Sequence, residues 1–214
     1  TPLWEATLDA ERQSASADDT VLRVRAAITD VRAWSAEEPN RYRVDVLVYD
    51  ADGQPVEISS AVVGFRHVEI ERGIFTVNGE RVVLRGVNRH EFDARYGRSV
   101  TEEDMLWDVR FMKRHNINAV RTSHYPNQTR WLELCDEYGI YMIDEANLET
   151  HGSWNLPGDV TDGESIPGDD PMWLAACVDR VQSRVARDRN HACVVAWSLG
   201  NESGRGRNIV AEYE

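Results

Sequence analysis

The sequence is poor in cysteine, and the few cysteines it has exclude two common scaffolds. Cys135, Cys177 and Cys193 are odd in number and far apart, so neither a disulfide framework nor a zinc knuckle is indicated. The chain has no run of about 18 apolar residues that would suit a membrane span. Its first residues also lack a basic region followed by an apolar one. We therefore expect a cytoplasmic protein with buried, reduced thiols and no membrane partner.

Positive charge is scarce relative to negative charge. The 24 lysine and arginine residues face 37 aspartate and glutamate residues, which gives a formal net charge of -13 at pH 7. Such a surface repels phosphate backbones and anionic lipids on average, so no nucleic acid partner is expected. A glycine-rich phosphate fingerprint is also absent after the first strand of the α/β region, which argues against nucleotide binding.

The first third of the chain has the alternation of half-buried strands. Val44, Val46 and Val48 occupy every second position, which predicts a strand with one face in the core. Asp52 and Gly53 form a hairpin turn signal, and a second extended stretch follows them. We therefore predict that residues 1–72 form part of an antiparallel β-sandwich.

From residue 73 the pattern changes to alternating strands and helices. Helical patterns separate four short apolar segments that are typical of strands, namely RVVLRGV, NAVRT, IYMIDEA and VVAWSL. Successive βα units with apolar strands predict a parallel sheet covered by helices, either in a barrel or in a doubly wound sheet. Polar residues follow each of the four strands. A (β/α)₈ barrel collects all such strand ends at one mouth, whereas a doubly wound sheet uses one switch point.

The repeated polar strand ends favour the barrel, although only half of its strands can be recognised. A complete barrel needs eight strands and about 250 residues. We therefore predict that residues 73–214 form the first half of a TIM (β/α)₈ barrel, with four βα units. The expected fold class is multidomain, with a β part followed by an α/β part.

The helices of this region have recognisable ends. Thr101 and Asp104 form a capping box, and the helix after it is expected to bury Met105, Val109 and Met112.

Asn127 is predicted to cap the second helix, which ends at Gly139. The third helix is predicted to begin at Asp170-Pro171 and to bury one apolar face, made of Leu174, Val178, Val181 and Val185.

The sequence WSLGNESG, residues 197–204, delivers a carboxylate to the end of a buried strand. Trp197 near Glu202 suggests apolar surroundings that would keep this acid protonated near neutral pH, as a general acid requires. The adjacent Asn201 would offer an amide to a substrate hydroxyl. The same two residues would equally suit the start of a helix, with Asn201 as its cap and Glu202 in its first turn.

The segment DEANLETHG, residues 144–152, suggests a cation site. If the chain stays extended after the strand, Glu149 and His151 point the same way and can reach one ion. With Glu202 or water completing the shell, an oxygen-rich set of this kind suits Mg²⁺ or Mn²⁺ better than structural zinc. As an isolated pattern, Glu-x-His more often belongs to a solvated surface that binds no ion.

Several motifs in this order resemble a known family, the large bacterial β-galactosidases of glycoside hydrolase family two. They are GVNRHE (86–91), AVRTSHYPN (119–127), the Cys-Asp-x-Tyr-Gly segment (135–139), DEANLETHG (144–152), RDRNH (187–191) and WSLGNESG (197–204). Upstream, WSAEEPNRY (34–42) and GFRHVEI (64–70) resemble the last part of that family's immunoglobulin-like domain. The resemblance implies that residues 1–72 are the C-terminal part of such a domain, and that the enzyme hydrolyses terminal β-D-galactose residues with retention.

The resemblance also implies roles for individual residues. Glu202 matches the general acid/base, and Asn201 matches the residue that contacts the sugar 2-hydroxyl. The magnesium ligands match Glu149, His151 and Glu202. His90 and His124 would line the galactose pocket, and Arg121 would keep the nucleophile ionised.

The family's catalytic nucleophile matches no residue of this chain. The resemblance places it on a later strand, so we expect the isolated chain to be inactive. Asp144 and Glu145 are carboxylates on a neighbouring strand, but neither matches a nucleophile motif. The family also implies Na⁺, with most of its ligands outside this chain, and a homo-oligomeric intact enzyme.

Two other functions remain open at this point. A β-glucuronidase of the same family would share the SHYP and Asn-Glu elements, although the Glu-Thr-His segment favours a galactosidase. A non-catalytic module is the second alternative, in which the exposed half-barrel binds sugar, a complementing fragment or a second copy of itself.

Overall fold

A computed structural model describes residues 3–7, 24–154 and 165–213. The chain divides into two compact units, residues 1–32 and residues 33–214. In the first unit, the described residues form no helix or strand. All the elements below belong to the second unit. Over the described ranges, no helix is both long enough and apolar enough to cross a bilayer.

The first strands form an antiparallel hairpin, as the turn signal predicted. Strand β1 (Tyr42–Tyr49) pairs with β2 (Pro55–Val63). In the turn, the Asp50 carboxylate accepts the backbone N–H groups of Asp52 and Gln54, and Gly53 has a φ of +78°. The expected hairpin is therefore confirmed.

The predicted buried face of this hairpin is not present. Val44, Val46 and Val48 are 46%, 55% and 43% exposed. Their partners on β2 are Ala61, Ser59 and Glu57, and across the described ranges no other sheet covers them. A sheet buries its apolar face only against a second layer, so alternation alone indicated a strand without indicating what packs on it.

The α/β part contains a parallel sheet, as predicted. A small antiparallel sheet of β3 (Val68–Glu71), β4 (Ile74–Val77) and β5 (Glu80–Arg81) precedes it. The parallel sheet then has four strands in chain order, β6 (Gly86–Arg89), β7 (Ala119–Thr122), β8 (Tyr141–Glu145) and β9 (Val194–Ser198). The helices between and after them are α1 (Glu102–Arg114), α2 (Thr129–Tyr138), α3 (Leu174–Asp188) and α4 (Arg207–Tyr213).

Helix α1 follows its sequence signals closely. The Thr101 hydroxyl accepts the N–H of Asp104, and the Asp104 side chain accepts the N–H of Thr101. This capping box satisfies two backbone donors that the helix itself leaves free. Met105, Val109 and Met112 are buried together against the sheet side, as expected.

Helix α2 ends as predicted but begins differently. Gly139 has a left-handed backbone, and its N–H donates to the Cys135 carbonyl. The prediction that Asn127 caps this helix is wrong, because the helix begins at Thr129 and Gln128 occupies the cap position. The buried Asn127 side chain instead accepts a hydrogen bond from the buried Arg89 at 2.8 Å.

Helix α3 buries a partly different face from the one predicted. It begins at Leu174, three residues beyond the predicted entry, and Leu174 is 40% exposed. Val181 is buried as expected, while Val178 and Val185 are only half-buried. The fully buried positions also include two charged residues, so that the inner face consists of Cys177, Val181, Arg184 and Asp188.

Candidate active site

A fully buried carboxylate lies at the carboxyl end of β8. One oxygen of Glu145 accepts hydrogen bonds from Arg121 Nε and Ser198 Oγ, both at 2.6 Å. Its other oxygen lies 2.7 Å from His124 Nδ1. These donors come from β7, from the loop after β7 and from β9, so Glu145 ties three neighbouring strand ends together.

The surroundings of Glu145 hold it in the ionised form. Burial acts to raise the pKa of its carboxyl, but the hydrogen bonds from Arg121, Ser198 and His124 outweigh burial and leave the pKa below its ordinary value. Because both oxygens are occupied and no part of the residue is exposed, Glu145 is not placed to attack a substrate. It acts as an anchor for the residues around it.

The Arg121 guanidinium extends this network to the next loop. Its Nη2 donates to Asn201 Oδ1 at 3.0 Å, and Asn201 Nδ2 donates to Glu149 Oε1 at 2.8 Å. A continuous series of contacts therefore runs from His124 through Glu145, Arg121 and Asn201 to Glu149.

The loops after β8 and β9 lie side by side because a glycine allows it. Gly200 has a φ of +154°, and a Cβ built on it would lie 2.4 Å from the Leu148 carbonyl oxygen. No other residue type fits such a close backbone approach. The Asn201 N–H donates to the same Leu148 oxygen at 2.8 Å, and Glu149 and Asn201 form a parallel bridge.

The three predicted cation ligands lie together. Glu149, His151 and Glu202 each offer a ligand atom, and these atoms lie within 4.8 Å of one another. His151 Nδ1 is 2.9 Å from Glu202 Oε2. Two carboxylates and one imidazole, all on exposed residues, fit the oxygen-rich donor set that a Mg²⁺ or Mn²⁺ ion takes with water in its remaining positions.

The route by which these residues meet differs from the one expected. The chain does not stay extended, because His151 begins a short 3-10 helix, His151–Trp154. Glu149 is placed instead by its bridge to Asn201, and the Thr150 N–H lies 3.4 Å from the Glu202 carbonyl oxygen. The pairing of two loops, rather than side-chain alternation along one, forms the cluster.

The side chain of Glu202 is more exposed than we expected from the nearby Trp197. Its side chain is 48% exposed, and its backbone has a φ of +44°. The apolar enclosure expected from Trp197 is absent, because that ring lies 5.1 Å from the Arg184 guanidinium instead. The alternative role at a helix start is also wrong, since α4 begins five positions later, at Arg207.

The two candidate sugar-pocket histidines are neighbours. The rings of His90 and His124 meet edge to face, with centroids 5.3 Å apart. His90 is exposed, whereas His124 is half-buried against Glu145. All the residues proposed from the sequence therefore lie along one edge of the parallel sheet, in contact with one another directly or through Glu145.

Sequence reasoning missed the central role of Glu145 and the part played by Ser198. Glu145 was visible as one of the polar residues at a strand end, but it was weighed only as a nucleophile. Ser198 carried no signal of its own, because a serine at the end of an apolar strand is common.

A parallel sheet with acidic side chains at its carboxyl edge is typical of an α/β enzyme. The family described as "Glycosyl hydrolases family 2, TIM barrel domain" matches residues 68–214, and the one described as "Glycosyl hydrolases family 2" matches residues 4–66. The chain belongs to glycosyl hydrolase family 2.

Curated relatives at high identity are named β-galactosidases. The chain is 57% identical to one from Streptococcus thermophilus over 86% of its own length, and 54% identical to one from Clostridium acetobutylicum over 84%. These matches cover 18% and 20% of the two relatives. The chain thus spans about a fifth of their length.

Similar solved structures include β-glucuronidases. One from Ruminococcus gnavus, in complex with C6-substituted uronic isofagomine, has a TM-score of 0.72 at 28% identity, covering 87% of this chain and 30% of that chain. One from Dictyoglomus thermophilum has a TM-score of 0.67 at 27% identity, covering 79% of this chain and 28% of that chain.

Replacing Glu145 tests its role as the anchor of the site. We expect Glu145→Gln to lower the free energy of unfolding by about 1 to 3 kcal/mol, because the buried position loses the charge that its donors pair with, whereas the Arg121 side chain is 28% exposed and stays partly hydrated. Urea denaturation at pH 7 measures this. The matched change at the exposed Glu149, Glu149→Gln, should alter stability by about 0.5 kcal/mol or less.

The pH dependence gives a second check on Glu145. A lowered pKa in the folded state stabilises the protein above the ordinary glutamate pKa, and this contribution disappears as pH falls through the folded pKa. The difference between wild type and Glu145→Gln should therefore shrink in acid. Equal stability losses for the changes at 145 and 149 at pH 7 would contradict the assignment.

Proposed function

We propose that the chain supplies the acid/base side of a retaining β-galactosidase, with residues 1–72 in an immunoglobulin-like domain and residues 73–214 in the first half of a catalytic barrel. The observation that carries the proposal is the contact series along the sheet edge, which joins His124, Glu145, Arg121, Asn201 and Glu149. The sequence identity to β-galactosidases from two bacteria supports the same activity.

In this proposal Glu202 is the proton donor and acceptor. It is half exposed at the open edge of the site, where a glycosidic oxygen can approach it. Glu202 protonates the departing oxygen in the first step and takes a proton from water in the second. Retention also needs a carboxylate nucleophile about 5 to 5.5 Å away. The resemblance to the family implies that this nucleophile is a residue outside this chain, and the enclosed Glu145 is not placed to serve as one.

The neighbours of Glu202 orient the sugar and the acid. Asn201 is held from both sides, by Arg121 and by Glu149, so its amide is fixed next to a sugar hydroxyl. His90 and His124 line the adjacent wall, and Glu145 sets the position of His124. Arg121, which contacts Glu145 and Asn201, is assigned to keeping the nucleophile ionised, as the resemblance to the family implies.

A divalent cation is the proposed cofactor. Glu149, His151 and Glu202 would hold Mg²⁺ or Mn²⁺, with water in the other positions. When bound, the ion supplies positive charge beside the acid. Na⁺ is a second proposed ion, with most of its ligands contributed by other parts of the parent protein.

A galactoside is preferred over a glucuronide as the substrate. The β-glucuronidase structures share the fold at 27% to 28% identity, whereas the β-galactosidase sequences reach 54% and 57%. The Glu-Thr-His segment, whose Glu149 and His151 lie beside Glu202, supports the same choice.

Activity of the parent protein tests the assignment of Glu202. In the full-length gene product, Glu202→Gln should lower kcat on a chromogenic β-galactoside by about 10²- to 10⁴-fold. The loss should be larger for a poor leaving group, which needs a proton, than for an activated aryl group. The exposed Glu103 on α1 provides the control Glu103→Gln, which should retain activity.

Two results would contradict this proposal. One is preference of the full-length protein for aryl β-glucuronides over β-galactosides. The other is turnover by the isolated 214-residue chain that disappears on Glu202→Gln, because the nucleophile would then lie within the chain.

Binding of Mn²⁺ to the isolated chain tests the cation site separately. Titration followed by the electron paramagnetic resonance of free Mn²⁺ should show one site, and Glu149→Gln should weaken it by about ten-fold or more. The control is Glu69→Gln, because Glu69 also lies beside a histidine, His67, at 3.5 Å. Equal affinities in both variants would rule out the proposed ligands.

The open edges of the parallel sheet favour a second role, as a self-associating module. Strands β6 and β9 each have one paired neighbour in the described part of the chain, and Val87 and Trp197 on these strands are 37% and 38% exposed. Two copies related by a two-fold axis would join β9 of one to β6 of the other and give the eight strands of a barrel.

Light scattering during size-exclusion chromatography tests this association. The isolated chain should elute as a dimer or larger, and Val87→Glu should shift it toward the monomer by placing a charge at the edge strand. Val56→Glu on the exposed β2 is the control and should leave the size unchanged. A monodisperse wild-type monomer would rule the association out.

A further inference from the structure

A buried arginine joins the two strand ends that precede the site. Arg184 lies on α3, and the residue is only 3% exposed. Its Nη1 donates to the carbonyl oxygen of Asp144 at 2.7 Å and to that of Ser198 at 2.6 Å. One guanidinium nitrogen therefore holds the backbones of β8 and β9 where the two strands end.

Just beyond the ends of β8 and β9, each strand continues into one of the two loops that form the site. The Ser198 carbonyl also accepts the Ala146 N–H at 3.0 Å. Two residues further on, the Leu148 carbonyl accepts the Asn201 N–H at 2.8 Å. The position of Glu149 against Asn201 therefore depends on how β8 and β9 are aligned at their ends, and Arg184 contacts both.

Two buried acids lie near the guanidinium of Arg184. Its Nε lies 3.7 Å from an oxygen of Asp144, which is fully buried, as is Asp188 on the same helix. Burial raises the pKa of Asp144 to about 7, with Arg184 opposing the rise and Asp188 adding to it. The Trp197 ring covers the guanidinium from 5.1 Å.

We propose that Arg184 is a positioning residue for the candidate active site. It touches neither the proposed ligands nor the sugar-pocket residues, and it acts by fixing the register in which the loops after β8 and β9 meet. Its effect on the cation cluster rests on the proposed function, whereas its effect on the strand ends does not.

Hydrogen exchange of individual amides tests the proposal on the isolated chain. In Arg184→Met, which keeps the length but removes the donors, the amides of Ala146 and Asn201 should exchange about ten-fold faster or more. The amide of Tyr141, at the opposite end of β8 and bonded to the Asn118 carbonyl, should change much less. Uniform acceleration of all three would indicate a general loss of stability and overturn the proposal.

A neighbouring arginine and a conservative change provide the controls. Arg180→Met alters the same helix, but Arg180 donates to Ala176 within it, so the exchange of Ala146 and Asn201 should stay as in wild type. Arg184→Lys should restore part of the protection, because an ammonium can bridge two carbonyls, as Lys113 does here. If Arg184→Met does not fold, selective acceleration in Arg184→Lys decides the question.

Mn²⁺ affinity separates this proposal from the cation site itself. Arg184→Met should weaken Mn²⁺ binding about ten-fold, whereas Glu149→Gln should weaken it without accelerating exchange at Ala146. If wild type binds no Mn²⁺, the proposed cation site is wrong, and the exchange results alone decide the role of Arg184. Unchanged exchange at Ala146 and Asn201 in Arg184→Met would overturn it.

Discussion

The hydrogen bonds to the buried Glu145 carboxylate hold the candidate site together. A carboxylate removed from water is costly unless donors satisfy it, and here Arg121, His124 and Ser198 do so. Each donor comes from a different place in the chain, so satisfying one buried charge fixes several strand ends at once. Arg121 also donates a hydrogen bond to Asn201, and Asn201 donates one to Glu149. The positions of these two residues therefore depend on the same network.

Two adjacent acids on β8, Asp144 and Glu145, contact different groups on the two sides of the sheet. Successive side chains of a strand point to opposite faces. Glu145 contacts the site residues, whereas Asp144 meets Arg184 in the layer between the sheet and α3. The same strand therefore anchors the site on one face and the supporting helix on the other. This arrangement explains why two consecutive acids follow an apolar run.

Local signals predicted much of the fold and the members of the site, and long-range packing decided the rest. The Thr101 capping box and the Gly139 helix end depend on a few neighbouring residues, so the sequence contained them. The burial of Arg184 did not follow from its neighbours, because its partner Asp144 is 40 positions away and isolated arginines are usually exposed. Asn127 was assigned to a helix start because its distant partner, Arg89, has no local signature.

The order of the parallel strands has a consequence for synthesis on the ribosome. Strands β6 to β9 occupy the sheet in the order in which they occur in the chain. Each strand that emerges can therefore add to the edge of the one made before it, without rearranging strands already paired. Glu202, the proposed acid, lies four residues after the end of the last of them, so its loop can meet the loop after β8 only once β9 has joined the sheet.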